Sequence, residues 1–76
     1  MKYEISDLTV IEMDNKHTYH PPTEEQVERY QRLRQAAREY EELIRELTPP
    51  SREQSVAITH LETTTFWANA SIARNE

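Results

Sequence analysis

All four prolines fall in two adjacent pairs, Pro21-Pro22 and Pro49-Pro50, and the chain contains no glycine. Proline lacks a backbone donor and disfavours helical geometry in the residue before it. Each pair therefore stops regular structure, and nothing of comparable strength interrupts the stretches between. A chain of 76 residues forms one domain with a modest core, and domains of this size often lean on disulfides, metals or self-association. There is no cysteine, which excludes disulfides and thiolate metal sites. No zinc-like or calcium-loop spacing occurs either. Helix packing and oligomerisation are the means left.

The segment after the first pair opens with Thr23 and Gln26 at capping-box spacing, with Glu24 and Glu25 at the positive end of the helix dipole. The predicted first hairpin helix covers about 23–47. Val27, Tyr30, Leu33, Ala37, Tyr40, Ile44 and Leu47 recur at helical spacing and form a seam for a second helix, with both tyrosines in the core. Glu28–Arg32 and Glu41–Arg45 have the i, i+4 order that supports a helix. The other charges, among them Arg29, Arg34 and Arg38, read mainly as a solvated face. "TPPS" ends this helix. Either Thr48 caps the next one with Pro49 following, or Ser51 caps it with Gln54 completing a second box. The second helix covers about 51–73. So short a connection folds the pair into an antiparallel hairpin over 21–76.

The N-terminal arm, residues 1–20, has a different pattern. Tyr3 and Ile5 alternate with charged neighbours, Leu8 and Val10 alternate in the other phase, and Ile11 and Met13 shift it again. This predicts an extended or strand-like arm with a bulge or turn near Ser6-Asp7. The competing reading is a frayed terminus. The fold class expected is thus mainly α: a long antiparallel helical hairpin with a short extended or strand-like arm, assembled as an oligomer.

The oligomer follows from the second hairpin helix, which has two apolar stripes. Ile58, Leu61, Thr65, Ala68 and Ile72 face the first helix. Phe66, Trp67, Ala70 and Ala73 point elsewhere, and two helices cannot cover both stripes. Burying each large aromatic is worth roughly 1.5–3 kcal/mol, so the second stripe is expected to be an interface between protomers.

The formal net charge of −5 argues against binding DNA or RNA polymers through a basic face. No apolar run approaches the ~20 residues of a membrane span, and the N-terminus is too polar for a signal peptide. A soluble, intracellular protein without membrane partners is expected. No two-histidine zinc motif, Ser/His/Asp order or glycine-rich phosphate loop is present, and His60 reads as structural. No cofactor and no catalytic residue is expected. Arg52 stands apart. It lies in the first turn of a helix, where unpaired N–H groups and the dipole favour an anion. Ser51, Ser55 and Thr59 follow one another at spacings of four along one face. A guanidinium fork, hydroxyls and a helix N-terminus suit phosphate, although serine at such a position is commonly a cap alone.

"PPSREQSVAITHLETTTFWANASIARN" over 49–75, with "YHPPTEEQ" before the first hairpin helix, closely resembles a family of small phage proteins. These share a helical-hairpin domain and include anti-CBASS and anti-Thoeris proteins. The resemblance implies an oligomeric sponge, a hexamer or dimer. Such a sponge binds cyclic nucleotide signals of bacterial immunity and withholds them from effectors without cleaving them. The ligands implied are cyclic di- or trinucleotides, or cyclic ADP-ribose isomers. The place implied is the cytoplasm of the infected bacterial host. It further implies Arg52 as a phosphate ligand and a base-stacking residue from the N-terminal region, for which Tyr19 or His20 is the candidate.

Two helices of about 24 residues span ~36 Å. Arg52 and Arg45 are thus expected at the loop end of the hairpin, and Tyr19, His20, Arg74 and Asn75 at the other. One protomer cannot bring both groups onto one cyclic dinucleotide. Two protomers arranged head to tail, or two separate sites, are required. A helical module that docks a host protein is the alternative function, and a signal-degrading enzyme is a third reading that lacks a defined acid/base pair.

Overall fold

The computed structural model describes residues 3–19 and 21–76. It contains three α-helices, α1 (Asp7–His17), α2 (Glu24–Leu47) and α3 (Arg52–Asn75), and no strand among the described residues. The arm is therefore not strand-like: residues 7–17 form a helix. Ser6 caps it, its Oγ accepting from the Thr9 N–H at 3.2 Å. Asp7 in the first turn and Lys16 and His17 in the last complement the dipole. Leu8/Ile11 and Val10/Met13 are i, i+3 pairs. What reads as slipping alternation is helical spacing without a polar face to make it plain. No α1 side chain is buried.

Thr23 caps α2 in a complete capping box. Its Oγ1 accepts from the Gln26 N–H at 3.2 Å, while Gln26 Oε1 accepts from the Thr23 N–H at 3.0 Å. Thr48 is the C-cap of α2, and Ser51 is the N-cap of α3, its Oγ accepting from the Gln54 N–H at 3.1 Å. This decides between the two capping registers. Gln54 does not close a second box. Its Nε2 donates instead to Thr48 O and Thr48 Oγ1, at 3.0 and 3.1 Å. That amide ties the first turn of α3 to the C-cap of α2, and Gln54 is buried in doing so. In mid-helix, "TTT" would disfavour α geometry through β-branching. Thr63, Thr64 and Thr65 each donate the hydroxyl proton to the carbonyl four residues back, at 3.0, 2.8 and 3.0 Å.

Helices α2 and α3 run antiparallel, so that Gln26 and Arg29 meet Glu76. Ile58 is buried, with Leu61, Thr65, Ala68 and Ile72 partly so, the stripe expected to face the first hairpin helix. Across from it Tyr30, Leu33, Ala37, Glu41 and Ile44 are half-buried. Tyr40 is not in the seam: it is 57% exposed. The reason is angular. From Ala37 to Ile44 the contact line passes through Glu41, a four-residue step, which turns Tyr40 outward. Glu41 accepts from Arg45 Nε at 3.1 Å. No Glu28–Arg32 pair forms among the described residues; Glu25 pairs with Arg29 instead, at 3.0 Å.

α1 lies against α3, so the three helices form a plate with extents of 53 × 36 × 14 Å. Its radius of gyration is 17.3 Å, against about 11 Å for a compact domain of this length. Domains bury a core between packed layers, and this plate is one layer thick. Among the described residues Ile58 is the only buried apolar side chain, and Phe66 and Trp67 are 63% and 55% exposed.

Candidate functional site

A cleft of about 500 Å³ opens at the end of the hairpin away from the turn. Its walls come from all three helices and the segment after α1. Lys16 lies in the last turn of α1, Tyr19 follows that helix, Tyr30 projects from α2, and Phe66, Asn69 and Arg74 project from α3. Tyr19 is 82% exposed. The Phe66 and Trp67 rings meet edge to face, with centroids 5.7 Å apart. The Arg74 guanidinium lies over the Trp67 ring, 5.5 Å from its centroid, an arrangement in which the ring quadrupole attracts the cation. Asn69 Oδ1 is buried and has no hydrogen-bond donor among the described residues. The cleft thus offers aromatic faces and two cations, the complement of a planar base and a phosphate.

The turn end is built differently. Arg52, the first residue of α3, is exposed and makes no ion pair or hydrogen bond among the described residues. Ser51 is fully engaged: besides capping, its Oγ donates to Pro49 O at 3.1 Å. Ser55 Oγ donates to Ser51 O at 3.2 Å. Thr59 is exposed, one helical turn further on. Arg45 is held by Glu41. A second hollow of about 400 Å³, lined by Ile44, Thr48, Pro49, Ser51, Glu53, Gln54 and Ala57, includes Ser51 but not Arg52, Ser55, Thr59 or Arg45. Of the candidates on this face, only Arg52 carries an unengaged charge. His20 lies outside the described residues.

Sequence reasoning did not name Lys16 or Asn69 as site residues. Lys16 escaped because the arm read as a strand; as the last turn of a helix it reaches the cleft. Asn69 sits between the two stripes of α3, with no spacing signal to mark it. No group of three His, Asp or Glu side chains that could hold a metal ion occurs among the described residues. Nor is any described helix long and apolar enough to cross a membrane.

A one-layer helical hairpin with an open aromatic face and unpaired arginine at one end is a binding scaffold. The chain belongs to the Acb2/Tad1 hairpin-domain family, whose model matches residues 10–73. That is the anti-CBASS/anti-Thoeris sponge family resembled by the sequence, a family of binding domains for cyclic nucleotide signals. The match begins within α1, so half of the arm is part of the family pattern. No curated protein and no solved structure matches the chain.

Proposed function

We propose that this protein is a phage anti-defence sponge: it binds a cyclic nucleotide immune signal in the cytoplasm of the infected bacterial host and holds it intact, away from its effector. The observation that carries this reading is the family match running from α1 through α3. The ligand class is a cyclic di- or trinucleotide, or a cyclic ADP-ribose isomer. Arg52 takes a phosphate at the start of α3, with Ser51, Ser55, Thr59 and Arg45 nearby, and Tyr19 stacks on a base at the other end. His20 is the neighbouring candidate for that stacking role. The protein works as a homo-oligomer, a hexamer or dimer, closed over Phe66, Trp67, Ala70 and Ala73. Exposed aromatics on a single-layer plate support this, because partner protomers supply the missing second layer. The two groups of residues form separate sites or are joined head to tail between protomers, since each helix of 24 residues spans ~36 Å.

The same exposed aromatics favour one other reading, a helical module that docks a host protein. One experiment separates the possibilities. The protein is incubated with a panel of cyclic di- and trinucleotides and cyclic ADP-ribose isomers, filtered, then heat-denatured. A sponge depletes one ligand from the filtrate and returns it unchanged after heating. Depletion of none sinks the sponge reading in favour of docking, and altered products indicate an enzyme.

A further inference from the structure

The open end of the hairpin is held by one carboxylate. Glu76, the C-cap of α3, reaches back to the first turns of α2. Its Oε2 accepts from Arg29 Nη1 at 2.8 Å, and its Oε1 accepts from Arg29 Nη2 and from Gln26 Nε2, the latter at 3.2 Å. Away from the turn, these are the only side-chain hydrogen bonds joining α2 to α3 among the described residues. Gln26 is already committed to the capping box through its Oε1 and its backbone N–H. One amide side chain therefore links the end of α3 to the first residues of α2. Arg29 is steadied on its other side by Glu25, 3.0 Å from Nε, although that N–H is not aligned for a hydrogen bond.

The linkage lies beside the large cleft. Arg74, a cleft wall, is two residues before Glu76. Tyr30, the wall that α2 supplies, directly follows Arg29 in the chain. A bidentate arginine–carboxylate pair fixes angle as well as distance. We propose that Glu76 is a positioning residue: by clasping Arg29 and Gln26 it holds the Arg74 wall of the cleft in register with the Tyr30 wall of α2. This rests on the reading of the cleft as a signal-binding site.

The groups facing the Glu76 carboxylate are Arg29 and Gln26 of α2, with Glu25 and Tyr30 acting on Arg29. On the α1 side, Glu12 and Lys16 lie near Arg74 and Asn75. The hydrogen bonds from Arg29 and then Gln26 hold the Glu76 carboxyl at about 2, against a smaller opposing effect of burial. Both partners keep about a third of their surface in water, 34% and 39%. The pair is therefore partly screened, and its effect is expected in local order rather than global stability.

The test uses the full chain as wild type, Glu76→Gln, and the charge-exchanged pair Arg29→Glu with Glu76→Arg. Hydrogen exchange is followed over residues 71–75, and calorimetry measures affinity for the panel ligand that wild type depletes. Glu76→Gln is expected to speed exchange at that end and to weaken binding about two- to fivefold, the range for a screened pair, with oligomer mass unchanged. The exchanged pair is expected to recover part of both. Unchanged exchange, or faster exchange with unchanged affinity, overturns the positioning role, as does a failure of the exchanged pair to recover either. If wild type binds no ligand of the panel, the sponge reading itself fails and the positioning role falls with it. The exchange data then still report whether the clasp exists.

Discussion

At the residue scale, the face that begins α3 separates two roles that serine and arginine often share. Ser51 Oγ is committed as a cap and to Pro49 O, whereas Arg52 is unengaged and exposed. Ser51→Ala is expected to cost about 1 kcal/mol of stability, read as a lower midpoint in thermal melting. Arg52→Ala is expected to leave that midpoint within the small range of surface substitutions. By the proposed phosphate role it weakens signal binding at least about tenfold, the loss of one charge-assisted bond. Calorimetry beside the melts checks both, and an arginine variant that melts early but binds normally would reverse the assignment. Glu76 supplies a pH prediction. Its carboxyl is depressed to about 2 by Arg29 and Gln26. Its contribution is therefore fully present above the ordinary value of about 4.3 and is lost as pH falls through about 2. Carbon NMR titration should place the Glu76 midpoint near 2 in wild type and near the ordinary value in Arg29→Gln.

At the element scale, the three helices differ in what holds them. α2 and α3 have caps and a shared seam around Ile58, whereas α1 has a cap, a favourable dipole and no buried side chain. Isolated helices of such length are marginal in water. Amides of α1 are expected to exchange far faster in the monomer than those of α3 near Ile58. Ser6→Ala should speed them further without moving the melting of the hairpin. Equal protection in α1 and α3 would mean that another surface, from a second protomer or a ligand, covers α1. Gln54 matters at the other end. It is the buried amide on Thr48, so its loss loosens the turn where both hairpin helices meet.

For the whole molecule, thickness decides more than composition. A plate 14 Å deep has no second layer, and many of its large apolar side chains, Phe66 and Trp67 among them, are exposed. Trp67→Glu places a charge where the proposed interface closes, and is expected to dissociate the oligomer. Mass measurement by light scattering checks this, and an unchanged mass would move the interface off the Phe66–Trp67 face. The distance between the ends makes a second expectation. Arg52→Ala and Tyr19→Ala, run over the same ligand panel, lose different ligands if the ends are separate sites. They lose the same ligand if a head-to-tail pair of protomers joins them.

The hairpin was legible because its signals are local. Proline pairs, a capping box within four residues and a 3–4 repeat act through the backbone they sit on, whatever surrounds them. The family was legible for a related reason, since "PPSRE" and "WANASIARN" are contiguous runs. Three things were not. The arm folded as α1 rather than as a strand, because a short helix with no buried side chain has no polar face to display its period. Tyr40 left the seam for Glu41, because the choice between adjacent residues depends on where the facing helix lies. Lys16, Asn69 and Arg74 came together around Tyr19, and Glu76 closed on Arg29, because those partners are up to nearly sixty positions apart in the chain. The antiparallel return of α3 along α2 brings Glu76 to Arg29, and the packing of α1 on α3 brings Lys16 to the same end. No local pattern encodes that juxtaposition, so the tertiary structure alone decided which charges are free and which are clasped.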